Sequence, residues 1–200
     1  PDVAKIAFTS STEVGREIVR GAAGAIKRVT LELGGTSANV VFADADLERA
    51  AAAAPYAVFG NAGQDCCARS RILVQRPVYD RFLDLLVEAT RNVRVGDPED
   101  FDTEMGPLIS AEHRQKVASF LEGDVVFQAE APLGPGYRFP CTLLAPPWLD
   151  ARAVREEIFG PVAVVIPFAD GDGAGGDTFR RLQAVRLRPR ARYARPGRLL

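Results

Sequence analysis

The fold class is decided by the stretch GQDCCARSRILVQRPVYDRFLDLLVE, residues 63–88. Within it, residues 71–75 form a short apolar run that predicts a buried strand. From Tyr79 onward, apolar side chains recur at i, i+3, i+4, i+7 and i+8 with charged residues between them, which predicts an amphipathic helix. A strand followed at once by a helix is the building unit of an α/β sheet, and two cysteines lie in the loop before this strand.

Outward from this stretch, strands and helices continue to alternate. Predicted strands lie at residues 5–8, 29–33, 39–43, 125–127 and 162–168; predicted helices follow the hydroxyl-rich residues 9–12 and span residues 47–59 and 110–121. Asp44 or Asp46 can cap the second of these helices. The Pro- and Gly-rich region 132–147 is expected to be mainly loop. The alternation predicts an α/β fold with a mostly parallel sheet.

The net charge of −1 combines two different compositions. Eight arginines and no acid follow Thr178, so residues 1–178 carry −9 and the last 22 residues carry +8. Leucine and valine in this segment are embedded in arginine and proline, so we predict that residues 170–200 are a disordered, arginine-rich tail. Three lysines against 22 arginines is the usage expected of a GC-rich gene. A hypothesis that explains the tail is a shift of reading frame near residues 171–177.

The sequence gives expectations about location as well. No run of 18 apolar residues is present, and no cationic segment leads into an apolar one at the N-terminus, so neither a membrane span nor a signal peptide is predicted. The chain begins at Pro1 without an initiator methionine. We therefore expect a cytoplasmic protein, or one whose beginning is missing.

Three cysteines are an odd number, and neighbouring cysteines do not normally bridge, so free thiols are predicted. Cys66 follows a glycine-containing break between a helix and a strand, which is compatible with an exposed nucleophile, although placement alone favours inert burial. Cys67 is interpreted as structural, and Cys141 has no recognisable partner. No metal site is predicted, because zinc needs about four ligands at characteristic spacings. The single histidine, His113, is interpreted as a solvated surface residue.

Glu32 lies at the end of a predicted apolar strand, immediately before two glycines. A carboxylate in such a place can act as a base, and the glycines would let a substrate or a second backbone come close. The alternative is an outward-facing strand residue before a turn. The pattern alone favours that alternative.

Five short motifs, taken together and in order, resemble the aldehyde dehydrogenase superfamily, whose members oxidise aldehydes to acids with NAD or NADP. The motifs are FTSSTEVG (residues 8–15), LELGG (31–35), GQDC (63–66), GPLI (106–109) and EEIFGPV (156–162). The resemblance covers about residues 5–169. It implies a partial aldehyde dehydrogenase-like α/β fold: a remnant of the dinucleotide-binding domain at residues 1–30, most of a three-layer catalytic domain at residues 31–169, and the tail at residues 170–200.

The resemblance also implies a role for five residues. Cys66 matches the nucleophile, whose thiolate adds to the aldehyde to give a thiohemiacetal and then, after hydride transfer to the nicotinamide, a thioester. Glu32 matches the general base that activates water to hydrolyse that thioester. Ser11 matches the hydroxyl near the cofactor pyrophosphate at a helix N-terminus. Glu157 and Phe159 match the residues that hold the nicotinamide ribose and ring. The implied cofactor is NAD or NADP and the implied partner is a small-molecule aldehyde.

This sequence departs from the family pattern in several places. Ser10 stands where the family usually has glycine, and Thr36 where it often has lysine. Most of the family's cofactor-binding sheet and its oligomerisation strand have no counterpart. Two alternatives therefore stay open: a catalytically inert remnant of such an enzyme, and, more remotely, a protein that binds nucleic acid through its basic tail.

Overall fold

A computed structural model describes residues 2–121, 125–134, 136–146 and 149–169 of the chain. The elements in chain order are β1 Lys5–Ser10, α1 Thr12–Ala23, β2 Arg28–Leu33, β3 Ala38–Val41, α2 Leu47–Phe59, β4 Arg71–Gln75, α3 Tyr79–Arg91, α4 Ala111–Ala118, β5 Val125–Gln128, β6 Thr142–Leu144, α5 Arg152–Arg155 and β7 Val162–Phe168. Short turns at Gly60–Gly63 and Arg76–Val78 precede β4 and α3. The prediction of a disordered tail at residues 170–200 lies outside the described residues.

The first strands form a two-stranded parallel sheet, in which β1 pairs with β2 from Lys5 opposite Arg28 to Ser10 opposite Leu33. Helix α1 connects the two strands. Ser11 caps this helix, because its hydroxyl oxygen accepts a hydrogen bond from the Val14 amide at 3.3 Å. Since the strands are parallel, the ends of β1 and β2 lie at the same edge of this sheet. We call residues 5–33 the small unit.

The remaining strands form one five-stranded sheet in the order β3-β4-β7-β6-β5. All of its pairings are parallel except that of β5 with β6. Every residue of β4 is buried, and so is β7 apart from the half-buried Pro167. The predicted α/β fold with a mostly parallel sheet is confirmed. We call residues 38–168 the large unit.

The core of the large unit lies between this sheet and the helices that cover it. Helix α2 begins at the Asp46 cap, whose carboxylate accepts from the Arg49 amide at 3.0 Å, and α3 packs against α2. Phe82 on α3 and Phe120 after α4 are fully covered, with 0% and 1% of their surfaces exposed. Burial of such large side chains is the main favourable contribution to folding. The large unit therefore supplies the rigid scaffold of the molecule.

The described residues of region 132–147 are mainly loop, as predicted, but one strand within them was not predicted. Thr142–Leu144 form β6, an interior strand whose three residues are all buried. Three residues between prolines carry too little periodicity to predict a strand, and only pairing with β5 and β7 fixes them. The division at residue 30 stays a prediction. Within the described residues, no helix is both long and apolar enough to cross a bilayer.

Candidate active site

A left-handed turn presents the cysteine loop. Helix α2 ends at Phe59, and the next residues Asn61, Ala62 and Gly63 have φ values of 52°, 55° and 69°. Glycine is required at position 63, since a Cβ there would collide with the Gly160 carbonyl. The turn reverses the chain direction at the end of α2 and leads residues 64–67 out to the surface.

Gln64 fixes this loop to a distant segment. Its Oε1 accepts a hydrogen bond from the Ile109 amide at 3.0 Å, across 45 residues of sequence. Asn61 and Gln64 also exchange side-chain to backbone bonds, from Asn61 Nδ2 to the Gln64 carbonyl and from Gln64 Nε2 to the Asn61 carbonyl. The turn at residues 61–63 and the hydrogen bonds of Gln64 both restrain this loop. An exposed side chain in such a restrained loop keeps a defined position.

The thiols of Cys66 and Cys67 are both exposed, with their sulfur atoms 3.9 Å apart. Asp65 Oδ1 accepts a hydrogen bond from the Cys67 amide at 2.8 Å. The hydrogen bond and charge of Cys67, with a smaller contribution from Asp65, raise the pKa of the Cys66 thiol. The potential ligand atoms of these three residues lie within 4.8 Å of one another, which is one ligand fewer than a usual zinc site provides.

Cys141 differs from this pair in its burial. It is fully buried, and its thiol donates to the Met105 sulfur at 3.6 Å, so the expectation that it has no partner is wrong. Burial raises the pKa of Cys141 to about 12. A thiol in that environment is not a nucleophile at neutral pH, because the thiolate is the reactive form.

Glu157 lies in the loop between α5 and β7 and is half-buried. Its Oε1 atom is buried and has no hydrogen-bond partner. Burial raises the pKa of this carboxyl, while the Gly35 amide and the charges of Lys116 and Arg71 act in the opposite direction. A Cβ on Gly34 would collide with the Glu157 carboxylate, so this glycine lets the Glu157 side chain come close, whereas a Cβ on Gly35 would meet open space.

Phe159, two residues further on, has a φ of 57°, which is rare for a residue with a large side chain. Its carbonyl oxygen lies 2.7 Å from His113 Nε2, and the two rings meet edge to face with centroids 6.0 Å apart. His113 is half-buried, and the interpretation of it as a solvated surface residue did not include this contact. Its partner lies 46 residues away in sequence, and no local pattern could have indicated the contact.

Glu32 and Ser11 come from the small unit. Glu32 is exposed and lies opposite Thr9 in the register of β1 and β2, while Ser11 follows the end of β1. The chain after β2 contacts Glu157 through Gly34 and continues to Ser37, whose amide donates to the Ala68 carbonyl at 3.2 Å. The segment that carries Glu32 thus leads directly to the cysteine loop and to the Glu157 loop.

These residues fit the groups of a dinucleotide. The N-terminus of the twelve-residue helix α1, capped by Ser11, offers amides and a positive dipole end to a phosphate. The buried, unpartnered Oε1 of Glu157 is an acceptor suited to a hydroxyl group. Phe159 exposes 38% of its surface and offers a ring for stacking. Three of the five predicted site residues therefore offer groups of the kind that a phosphate, a hydroxyl and a ring would contact, and their roles stay predictions.

Comparison with known proteins identifies the sequence relationship. The sequence model described as the aldehyde dehydrogenase family matches residues 1–174. The chain is 42% identical over 178 residues to betaine aldehyde dehydrogenase of Bacillus subtilis, a match that covers 84% of this chain and 36% of the relative. It is 38% identical over 180 residues to human 4-trimethylaminobutyraldehyde dehydrogenase, with the same shares of the two chains.

Solved structures agree with the sequence match. An aldehyde dehydrogenase from Bacillus cereus superimposes with a TM-score of 0.82 at 40% identity, covering 90% of this chain and 37% of that one. Betaine aldehyde dehydrogenase from Staphylococcus aureus, solved in complex with NAD+, gives a TM-score of 0.81 at 34% identity over the same shares. The chain thus spans little more than a third of the length of the relatives that it matches.

Proposed function

The chain belongs to the aldehyde dehydrogenase family, and on that premise we propose that it carries the nucleophile and the base for NAD(P)-dependent oxidation of an aldehyde to a carboxylic acid. The observation that carries the proposal is the exposed Cys66 thiol, held in a loop that Gln64 and Gly63 tie to the segments around it. A nucleophile needs this combination of access and fixed position.

Cys66 performs the covalent chemistry in this proposal. Its thiolate adds to the aldehyde carbon, and the carbonyl electron pair moves to oxygen to give a thiohemiacetal. Loss of hydride from that carbon converts the adduct into a thioester. NAD+ or NADP+, when bound, accepts this hydride. The hydrogen bond and charge of Cys67 raise the pKa of Cys66, so a base or a cation next to this thiol would increase the fraction of reactive thiolate.

Glu32 completes the cycle as the general base. It removes a proton from water as the water oxygen attacks the thioester carbon, and the carboxylic acid leaves as the Cys66 thiol is restored. Its exposed side chain and the hydrogen bond of Ser37, five residues later, to the Ala68 carbonyl beside the cysteine loop support this role. General-base catalysis of this kind contributes roughly 10²–10⁴-fold to the rate.

Three residues would hold the cofactor. Ser11 and the amides of α1 would bind the pyrophosphate, Glu157 would accept hydrogen bonds from ribose hydroxyls, and Phe159 would pack against the nicotinamide ring. The support for each is the helix cap, the unpartnered buried oxygen and the exposed ring described above. These groups do not discriminate NAD from NADP.

The substrate we propose is a small aldehyde. Two relatives at 42% and 38% identity are named for betaine aldehyde and 4-trimethylaminobutyraldehyde, both of which carry a quaternary ammonium group. An aldehyde of that class is the first to test. Three free thiols and the lack of any disulfide among the described residues agree with a reducing compartment, and we propose the cytoplasm.

The test is oxidation of betaine aldehyde by the purified chain with NAD+ or NADP+, followed by the absorbance of the reduced cofactor. We expect Cys66→Ala to reduce the rate to background and Cys67→Ala, the matched neighbour, to keep it. Glu32→Gln is expected to slow turnover about 10²–10⁴-fold and to leave an acyl adduct on Cys66 that mass spectrometry detects. Unchanged turnover in Cys66→Ala would overturn the proposal.

A second assay separates the thiol from hydride transfer. Hydrolysis of an activated ester without cofactor needs only Cys66 and a water-activating base. If the chain hydrolyses the ester but never reduces NAD+ or NADP+, the thiol is active and the oxidoreductase function of this chain is rejected. If it does neither, the inert alternative is correct.

A further inference from the structure

We infer that His113 is a positioning residue that holds Phe159, and with it the Glu157–Phe159 loop, in the conformation that the cofactor site requires. The reference to the cofactor rests on the proposed function, whereas the contact itself is a property of the fold. His113 touches neither Cys66 nor Glu157 in the described contacts, so its effect is exerted through the Phe159 backbone and ring.

The first step of the argument is the strain at Phe159. A positive φ of 57° places the Cβ of an L-residue against its own backbone, and such a conformation persists only where surrounding contacts impose it. The Phe159 carbonyl can only accept a hydrogen bond, so His113 Nε2 carries the proton and donates it over 2.7 Å. The edge-to-face contact of the two rings adds a second restraint on the side chain.

The second step concerns how α4 is fixed. Its cap, Ser110, accepts a hydrogen bond from the His113 amide at 3.1 Å, so the imidazole lies in the first turn of a capped helix. The residue before that cap, Ile109, donates its amide to Gln64 in the cysteine loop at 3.0 Å. The start of α4 is therefore tied to the loop that carries the nucleophile.

The third step is a contact one helical turn later. Val117, four residues after His113, packs so closely against Gly160 that a Cβ at position 160 would overlap its side chain. Residues four apart share a helix face, so α4 presents His113 and Val117 together to consecutive residues of the same loop. Gly160 also contacts Gly63 in the turn before the cysteines.

These contacts connect α4 to two parts of the proposed site. The residue before its cap is hydrogen-bonded to Gln64 in the cysteine loop, and His113 and Val117 contact the loop of Phe159. Helix α4 therefore fixes the location of the Phe159 ring relative to the cysteine loop. Small displacements of positioning groups of this kind have large effects on rate, because reacting atoms must lie within a narrow range of distance.

Three variants of the full chain separate the hydrogen bond from simple packing. His113→Phe keeps an aromatic ring beside Phe159 but removes the donor. His113→Gln removes the ring but keeps an N–H that can reach the carbonyl. Gln115→Ala, at an exposed position of the same helix, is the matched control. All three are compared with the wild type for melting temperature, hydrogen exchange of the amides of residues 157–160, and the dissociation constant of NAD+.

We expect His113→Phe to accelerate hydrogen exchange at residues 157–160 about fivefold to tenfold, the factor that one net hydrogen bond provides. The dissociation constant of NAD+ should increase by a similar factor. Exchange in β4 should not change, since that strand lies in the buried sheet. In His113→Gln both the exchange rate and the dissociation constant should lie close to the wild-type values, and Gln115→Ala should behave as the wild type. A merely structural role predicts a lower melting temperature for both His113 variants and no rescue by glutamine.

The outcomes also separate this inference from the proposed function. Wild-type exchange at residues 157–160 in His113→Phe would overturn the positioning role. Faster exchange in that variant together with no NAD+ binding even by the wild type would support the positioning role and reject the cofactor site. Should His113→Phe fail to fold, His113→Gln decides the question, because retained protection at residues 157–160 supports the donor and lost protection overturns it.

Discussion

The small unit and the large unit are built from the same repeat of parallel strands and helices, but their apolar side chains are covered to very different extents. In the large unit the residues of β4 and β7 are almost entirely buried. In the small unit Phe8, Val14 and Val19 expose 40–42% of their surfaces, and Ile26 exposes 91%. Parallel sheets are normally covered on both faces, so the sheet pattern alone does not produce a core.

The small unit also contains an open cleft of about 550 Å³, which agrees with its poorer packing. It lies between α1 and the start of β2, and is lined by side chains that include Val19, Ala22, Ile26 and Val29. The cleft contains none of the predicted site residues. The stability of the described structure is thus expected to reside in the large unit, while the small unit contributes Ser11 and Glu32 from a sheet edge with few packing contacts.

The largest expected effect compares a phenylalanine in each unit. Phe82→Ala should lower the free energy of unfolding by about 3–5 kcal/mol, because this side chain is fully buried and its removal leaves a cavity. Phe8→Ala, at a ring that is already 40% exposed, should cost roughly 1 kcal/mol. Urea denaturation followed by circular dichroism measures both. Equal losses would mean that exposure in the structure does not report the difference in packing between the two units.

Smaller effects on stability are expected at two glycines, and the two effects should have opposite signs. Gly63→Ala should destabilise the protein by about 1–3 kcal/mol, because φ is +69° and the new Cβ would meet the Gly160 carbonyl. Gly21→Ala, within α1 and with open space around it, should stabilise the small unit by about 0.5–1 kcal/mol through helix propensity. Thermal melts of the two variants against the wild type provide the measurement. Destabilisation by Gly21→Ala would show that the space around position 21 is not open in solution.

Much of the fold could be predicted from the sequence because its signals are local. Helix α2 spans Leu47–Phe59 and strand β4 spans Arg71–Gln75, as periodicity and apolar runs indicated, and Asp46, one of the two aspartates that could cap α2, is its cap. Strand β6 could not be predicted, since a three-residue strand has no measurable period. Its assignment depends on neighbours that are distant in sequence.

The candidate site shows the same limit. The match to the family model over residues 1–174 confirms the resemblance that the five ordered motifs indicated. The roles of the individual site residues stay predictions: Cys66, Glu32, Ser11, Glu157 and Phe159. The contact of His113 with Phe159 and that of Cys141 with Met105 were missed, because each joins residues 36 or more apart without any repeated pattern. Long-range pairs of single side chains are visible only once the fold brings them together.

The smallest expected effect is a change in the pH dependence of one thiol. The large unit holds a buried thiol, Cys141, and an exposed pair, so the two environments should differ in reactivity with iodoacetamide. Cys141, whose pKa burial raises to about 12, should stay unmodified in the folded protein. Cys66 should react, and mass spectrometry of the fragmented peptide distinguishes it from Cys67.

The Cys67→Ala variant tests what controls Cys66. The hydrogen bond and charge of Cys67 are the largest causes of the raised pKa of Cys66, so their removal should lower that pKa. The thiolate fraction at neutral pH then increases, and the pH profile of alkylation moves to lower pH. Asp65→Asn should move it in the same direction by less, because the Asp65 charge is a smaller cause. A profile that stays unchanged in Cys67→Ala, while Cys141→Ala also matches the wild type, would show that the adjacent sulfur does not interact with the Cys66 thiol in solution.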